Sequence, residues 1–103
     1  MRPIPMTQVI GRKRHDTEKA MLISGDDWWD GHNWERKGRN TFLYRTVKGA
    51  YFIQVRTAWQ GEEDRIEIVT QDEAINLFEE HSVHDTTRVS FTEAFPGVEI
   101  KEA

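Results

Sequence analysis

Two segments of alternating apolar and polar residues, joined by Lys48 and Gly49, constrain the fold most. Residues 41–47 and 50–59 each alternate with the period of two that is typical of a β-strand. Glycine readily supplies the positive φ of a tight turn, so we expect a two-residue β-hairpin. The chain should therefore contain an antiparallel sheet.

The expected turn also sets which side chains share a face of the hairpin. One face is mixed, and its expected pairs are Val47 with Ala50, Arg45 with Phe52 and Leu43 with Gln54. The other is nearly all apolar, and its expected pairs are Thr46 with Tyr51, Tyr44 with Ile53 and Phe42 with Val55. We expect the second face to lie in the core and the first to stay partly open to solvent or a partner.

The flanking segments predict further strands and helices. Strands are expected at residues 7–10 and 65–70, and a short helix at 17–24, between Asp16 as N-cap and Gly25 as terminator. Thr70 and Glu73 match a capping box, which predicts a helix over 71–82. The tail offers two alternatives, a strand near 88–91 or a helical turn over 90–95.

This order, β-α-β-β-β-α, predicts an α+β domain with a small antiparallel sheet and two helices packed on one face. With 103 residues the chain is long enough for a single core, so we expect one domain over 1–103. Residues 1–6 are expected to be an extended lead-in, and 96–103 a loose tail. We find no apolar stretch that predicts a signal peptide or a membrane span, and we expect a cytoplasmic protein.

Charge is unevenly distributed along the chain. The net charge is −4, but residues 1–58 carry +5 and residues 59–103 carry −9. Such a bipolar domain suits electrostatic steering toward a charged partner, unless folding interleaves the two halves. The candidate steering carboxylates are Glu62, Glu63, Asp64, Glu79 and Glu80.

A long polar segment, residues 25–40, carries three tryptophans: Trp28, Trp29 and Trp34. Tryptophan is enriched at binding hot spots because it buries a large area and keeps one hydrogen-bond donor. We expect these rings to anchor a partner protein, although they could instead fold back over the sheet edge. The alternative is a nucleic-acid surface on the mixed hairpin face, where Arg45, Lys48, Phe52 and Arg56 interleave cations with an aromatic ring.

Neither catalysis nor metal binding is indicated. There is no cysteine, and the three serines at 24, 82 and 90 lie in no nucleophile motif. His81 and His84 lie three residues apart, close to Glu80 and Asp85, but two histidines alone are a weak zinc signal. We therefore expect a non-enzymatic protein without cofactor or metal.

Three segments resemble a family of short proteins from bacteria and their phages and plasmids: residues 11–20 (GRKRHDTEKA), 43–52 (LYRTVKGAYF) and 71–74 (QDEA). The resemblance spans about residues 9–80, and His15 stands where an aromatic such as tyrosine is expected. The family has no established activity, so no catalytic residue carries over. The resemblance implies a phage or mobile-element context. By analogy, we expect a protein that binds and inhibits or modulates a host protein or nucleoprotein, as anti-CRISPR proteins do.

Overall fold

A computed structural model describes all 103 residues. It shows an α+β domain built from two antiparallel sheets and two helices, which confirms the predicted fold class. The elements are β1 (Thr7–Ile10), β2 (Lys13–Asp16), β3 (Met21–Gly25), β4 (Arg39–Arg45), β5 (Tyr51–Thr57), β6 (Arg65–Val69), α1 (Gln71–Val83) and α2 (Phe91–Ala94). β1 and β2 form one hairpin, and the other four strands form a sheet in the order β3-β4-β5-β6.

The predicted helix over 17–24 is wrong, because β3 occupies its second half, from Met21 onward, and pairs with β4. Asp16 closes only a turn, in which its carbonyl accepts from the N–H groups of Lys19 and Ala20. Consecutive apolar residues in this segment pack on opposite faces of the sheet, with Leu22 on one side and Ile23 on the other. A segment this short gains little as an isolated helix, so strand pairing and burial on both sides decide its structure.

The β4–β5 register also differs from the expected one by a single residue. Tyr44 lies opposite Phe52, and Arg45 opposite Tyr51. The reversal is a wider loop in which Thr46 N–H donates to Ala50 O over 2.8 Å, and Gly49 takes a φ of 88°. Because side chains alternate along a strand, this one-residue shift regroups the faces and divides the expected apolar face between two cores.

The helix-side core lies beneath α1 and α2. Its buried members are Ile23, Leu43, Tyr51, Ala74, Phe78, Ala94 and Phe95. Both helices contribute to it, so they pack on the same face of the sheet, with α2 in the tail taking the place of the predicted helix over 17–24. The tail joins this core, because Tyr51 Oη donates to Ala94 O over 2.8 Å and Phe95 is fully buried.

The hairpin-side core lies on the opposite face of the sheet. Its buried members are Phe42, Tyr44, Phe52 and Ile66, with Met6 and Ile10 packed against them. The extended residues 1–6 are tied to the sheet, since the backbone of Ile4 makes two hydrogen bonds with the side chain of Gln54. The prediction that the mixed hairpin face stays partly open to solvent is therefore wrong, because Phe52 and Gln54 are fully buried.

The helix N-termini follow their local sequences. The Thr70–Glu73 capping box is present and starts α1, which ends at Val83, one residue later than predicted. A second capping box, Ser90 with Glu93, starts α2, so the helical-turn alternative for the tail is confirmed and the strand near 88–91 is wrong. Neither helix has the length and apolar composition required to cross a bilayer.

Candidate functional site

The tryptophan loop, residues 26–38, joins β3 to β4 and is fixed at its base by buried polar contacts. Asp26 Oδ1 accepts from Thr41 N–H over 2.8 Å and from Asn40 Nδ2 over 3.0 Å. Burial raises the pKa of the Asp26 carboxyl, although both hydrogen bonds act in the opposite direction. Asn40 is fully buried and also accepts from the Met1 amine over 2.7 Å. These bonds hold the start of the loop against β4.

Arg36 organises the middle of the tryptophan loop. Its Nη2 donates to Trp28 O over 2.5 Å and to Asn33 O over 3.1 Å. Its Nη1 lies 3.6 Å from Asp30 Oδ2, and Asp30 Oδ1 accepts from the N–H groups of His32 and Asn33. One guanidinium thus joins three parts of the loop, which restricts its conformations.

Trp28 fixes the loop to the end of α1, and its side chain is half-buried. Its ring stacks on His84 at a centroid separation of 3.6 Å and an interplanar angle of 8°. The Arg36 guanidinium carbon lies 4.5 Å from the Trp28 ring centroid, a cation–π contact. Trp28, predicted as a partner anchor, is therefore occupied by contacts within the protein.

Trp29 and Trp34, by contrast, form an exposed aromatic pair. They are 52% and 55% exposed, and their ring centroids lie 5.1 Å apart. Exposed large aromatic rings side by side on a fixed loop are typical of an interaction surface. The structure thus brings together two of the three predicted tryptophan anchors.

Trp59 is a third half-exposed tryptophan, and it lies at the end of the segment 50–59 that the sequence predicted as a strand. Its Nε1 donates to Lys37 O, and its ring contacts Gly38, where an added Cβ would lie 2.8 Å from Nε1. Trp59 lies two residues after β5 ends, so strand alternation no longer governs its orientation. The sequence signal that the strand ends before Trp59 was the glycine-containing turn that follows at residues 60–61.

The predicted steering carboxylates have different environments. Glu62 forms two hydrogen bonds with Arg39, which lower the pKa of Glu62, and Asp64 pairs with Arg56 over 2.9 Å. These two carboxylates hold the loop that carries Trp59. The others are exposed and form no ion pair: Glu63, Glu79 and Glu80.

The four residues of the nucleic-acid alternative do not form one surface. Phe52 is fully buried, so it is not available for stacking on a base. Arg45 lies opposite Tyr51 on the helix side, whereas Arg56 pairs with Asp64 and donates to Arg2 O. Of the four residues only Lys48 is exposed, at the tip of the β4–β5 loop.

His81 and His84 face different surroundings. His81 is 1% exposed, and its Nδ1 lies 2.7 Å from Ser24 Oγ, which joins α1 to β3. Burial lowers the pKa of His81 to about 4. His84 is exposed and stacks on Trp28. No group of three or more potential metal-ligating side chains occurs in the structure.

Comparisons with protein-family models, curated proteins and solved structures found no significant match. The functional argument therefore depends on the surfaces themselves, of which the Trp29–Trp34 pair is the most exposed aromatic one.

Replacing Arg36 with alanine is expected to loosen the tryptophan loop and lower the free energy of unfolding by about 1–2 kcal/mol. The variant loses two hydrogen bonds to backbone carbonyls and the cation–π contact with Trp28. Amide hydrogen exchange should increase across residues 28–36 by more than in β4 and β5, where it rises only with the loss of global stability. An unchanged exchange pattern in the loop would show that Arg36 does not organise it.

Proposed function

We propose that this chain is a non-enzymatic binding protein that docks onto a partner protein through Trp29 and Trp34. The observation that carries the proposal is the exposure of two adjacent indole rings on a loop that is fixed at both ends. A fixed loop loses little conformational entropy on binding, so less of the free energy gained by desolvating the rings is offset by ordering of the loop.

The exposed carboxylates where the loop meets the end of α1 favour a basic partner. His84, which stacks on Trp28, lies one helical turn after Glu80, and Asp85 follows it at the end of α1. Glu80 and Asp85 are exposed and form no ion pair. A partner with an apolar pocket bordered by lysine or arginine side chains would complement both the aromatic pair and these carboxylates. Such a surface occurs on proteins that themselves bind nucleic acid.

The biological setting we propose is that of a phage or mobile-element protein that modulates a host protein or nucleoprotein. The support is the resemblance of residues 11–20 and 43–52 to a family found in that setting. In this setting, a domain of 103 residues would act by covering a partner's surface in stoichiometric amounts.

The test is a tagged pull-down from bacterial lysate with and without nuclease, followed by affinity measurement on the captured protein. The informative variant is Trp29→Ala/Trp34→Ala, and the matched control is Val9→Ala/Ile68→Ala, which removes two exposed apolar side chains on β1 and β6. Removing the pair is expected to weaken binding by about 30-fold or more, because a single hot-spot residue contributes about 2 kcal/mol. The control should bind as the wild type does.

Two results would contradict the proposal. One is a stoichiometric partner that both double variants bind equally well. The other is the recovery of nucleic acid alone, with every protein lost after nuclease treatment. Both double variants should keep the wild-type unfolding midpoint, since exposed side chains contribute little to stability.

A further inference from the structure

A second surface feature, the basic cleft, lies at the other end of β4 from the tryptophan loop. It is an open cleft of about 570 Å³ between the β1–β2 hairpin and the β4–β5 loop. Its cationic lining residues are Arg12, Lys13, Arg14, Lys19 and Lys48. The lining also includes His15 and Asp16. Because β4 has seven residues, the two features are separated by roughly 20 Å along the strand.

Charge in the cleft is opposite in sign to that of the rest of the protein. The lining carries five cations and one carboxylate, a net charge of +4. Since the whole chain carries −4, all other residues together carry −8. The exposed carboxylates of α1 lie on the other face of the sheet, beyond the two cores. The cleft therefore concentrates positive potential at one place on an acidic domain.

His15 is the only buried side chain in the lining. It is 5% exposed, and its Nδ1 is buried without a hydrogen-bond partner. Its ring packs edge-on against Phe52 at 5.6 Å, which fixes its orientation. A buried ring nitrogen without a hydrogen-bond partner is destabilising, and a ligand oxygen would satisfy Nδ1 in the tautomer that carries the proton there. The unpaired nitrogen belongs to a lining residue of the cleft, so it adds a polar group to the five cations.

The turn of the β1–β2 hairpin places a cation at the cleft at a cost in stability. Gly11 and Arg12 have φ values of 59° and 66°, as the two central residues of a type I′ turn require. Arginine is disfavoured in this left-handed region, where glycine is not. Glycine at position 12 would therefore form the same turn more readily, so the turn itself does not require the arginine side chain.

We propose that the basic cleft binds a small ligand that carries several phosphate groups. Guanidinium and ammonium groups match phosphate oxygens in charge and hydrogen-bond geometry. The volume is that of a small-molecule site rather than of an extended track. A longer polyanion leaving the cleft would meet the net negative charge of the remaining surface, which favours a compact ligand over a nucleic-acid strand.

The experiment is isothermal titration calorimetry at low salt and without divalent cations, with inorganic triphosphate, ATP and a short single-stranded DNA as probes. We expect triphosphate to bind at one site per chain. Binding of triphosphate supports the proposal whether or not ATP binds more tightly, since the nucleoside adds contacts to the same phosphate chemistry. Absence of triphosphate binding, or markedly tighter binding of the DNA, would overturn it.

The variants assign binding to the cleft. Lys13→Gln/Arg14→Gln is expected to weaken triphosphate binding about tenfold or more, since charge-assisted hydrogen bonds are lost. Its matched control is Arg2→Gln/Lys101→Gln, which removes the same charge from exposed side chains outside the cleft. Equal losses in the two double variants would show an effect of net charge alone and would contradict a defined site.

Two single variants separate binding from folding. Arg12→Gly should keep or slightly raise the unfolding midpoint, because the turn favours glycine, yet weaken triphosphate binding several-fold. His15→Phe keeps an aromatic ring beside Phe52 and removes Nδ1, so it too should bind more weakly. Unchanged affinity in Arg12→Gly, the variant expected to fold best, would count against the proposal even if His15→Phe failed to fold.

Discussion

Phe52→Ala is expected to lower the free energy of unfolding by about 3–5 kcal/mol. Phe52 is fully buried in the hairpin-side core, where its ring stacks on Tyr44 at a centroid separation of 5.1 Å. The edge of His15 packs against it at 5.6 Å. Truncation would leave a cavity between the sheet and the N-terminal segment, which is held by the hydrogen bonds between Ile4 and Gln54. The loss of burial and the cavity both destabilise the fold.

Urea denaturation measures this effect, and two further variants calibrate it. Phe52→Leu retains most of the apolar volume and should be considerably less destabilised than the alanine variant. Val47→Ala changes a side chain that is 85% exposed and should stay within about 0.5 kcal/mol of the wild type. A loss below about 1 kcal/mol in Phe52→Ala would mean that the ring lies at an accessible surface. That result would restore the hairpin face as a candidate nucleic-acid surface.

The helix N-termini were predictable because local residues determine them. Thr70 and Glu73 form a capping box at any position where a helix can follow, and Ser90 and Glu93 do the same in the tail. Strand pairing is less local. The β4–β5 register depends on Thr46, whose backbone closes the loop with Ala50. A turn rule based on Lys48 and Gly49 alone placed the turn one residue away.

The predicted helix over 17–24 failed for a related reason. Met21, Leu22 and Ile23 are apolar in succession, which suits either a buried helix or a strand covered on both sides. The strand was favoured because the hairpin-side core contains side chains both from residues 1–6 and from β3, which lie at opposite ends of the first third of the chain. No local signal reveals that residues 1–6 and the β1–β2 hairpin cover that face.

The candidate sites were predictable to different degrees. Trp29 and Trp34 stood out because tryptophan is unusual in a polar loop, but the capture of Trp28 by Arg36 and His84 depends on tertiary contacts. The basic cleft was not predicted as a site, although residues 12–14 are three consecutive cations in the sequence. Lys48 reaches the same cleft from a loop more than thirty residues later, and only the fold brings the two turns together.

The second large effect concerns acid stability, which His81 is expected to control above pH 5. Burial lowers the pKa of His81 to about 4, so the folded protein keeps the ring neutral at pH values where the unfolded chain protonates it. Asp27 favours the charged ring, whereas Arg88 and His84 oppose it, and all three effects are smaller than that of burial. The stabilisation is complete above the unfolded pKa of about 6.5 and is lost as the pH falls toward about 4.

Between about pH 7.5 and about pH 5, the wild type is expected to lose about 2 kcal/mol of stability through His81. Urea denaturation at both pH values measures the loss. His81→Gln should remove most of this dependence, since its amide does not titrate and retains the ability to hydrogen bond with Ser24 Oγ, the partner of His81 Nδ1 at 2.7 Å. His32→Gln, an exposed replacement in the tryptophan loop, is the control and should keep the wild-type slope.

The lower pH of this comparison is set near 5 in order to separate the titration of His81 from that of the carboxyl groups. Hydrogen bonds lower the pKa values of Glu62 and Glu73, and the contact with Arg88 lowers that of Asp27 despite its burial, so their stabilisation is lost only at more acidic pH. The raised pKa of Asp26 acts in the opposite direction, because the folded state binds that proton more readily than the unfolded chain. A wild-type slope retained in His81→Gln would therefore assign the acid sensitivity to other groups and would show that the Ser24–His81 contact tolerates a charged ring.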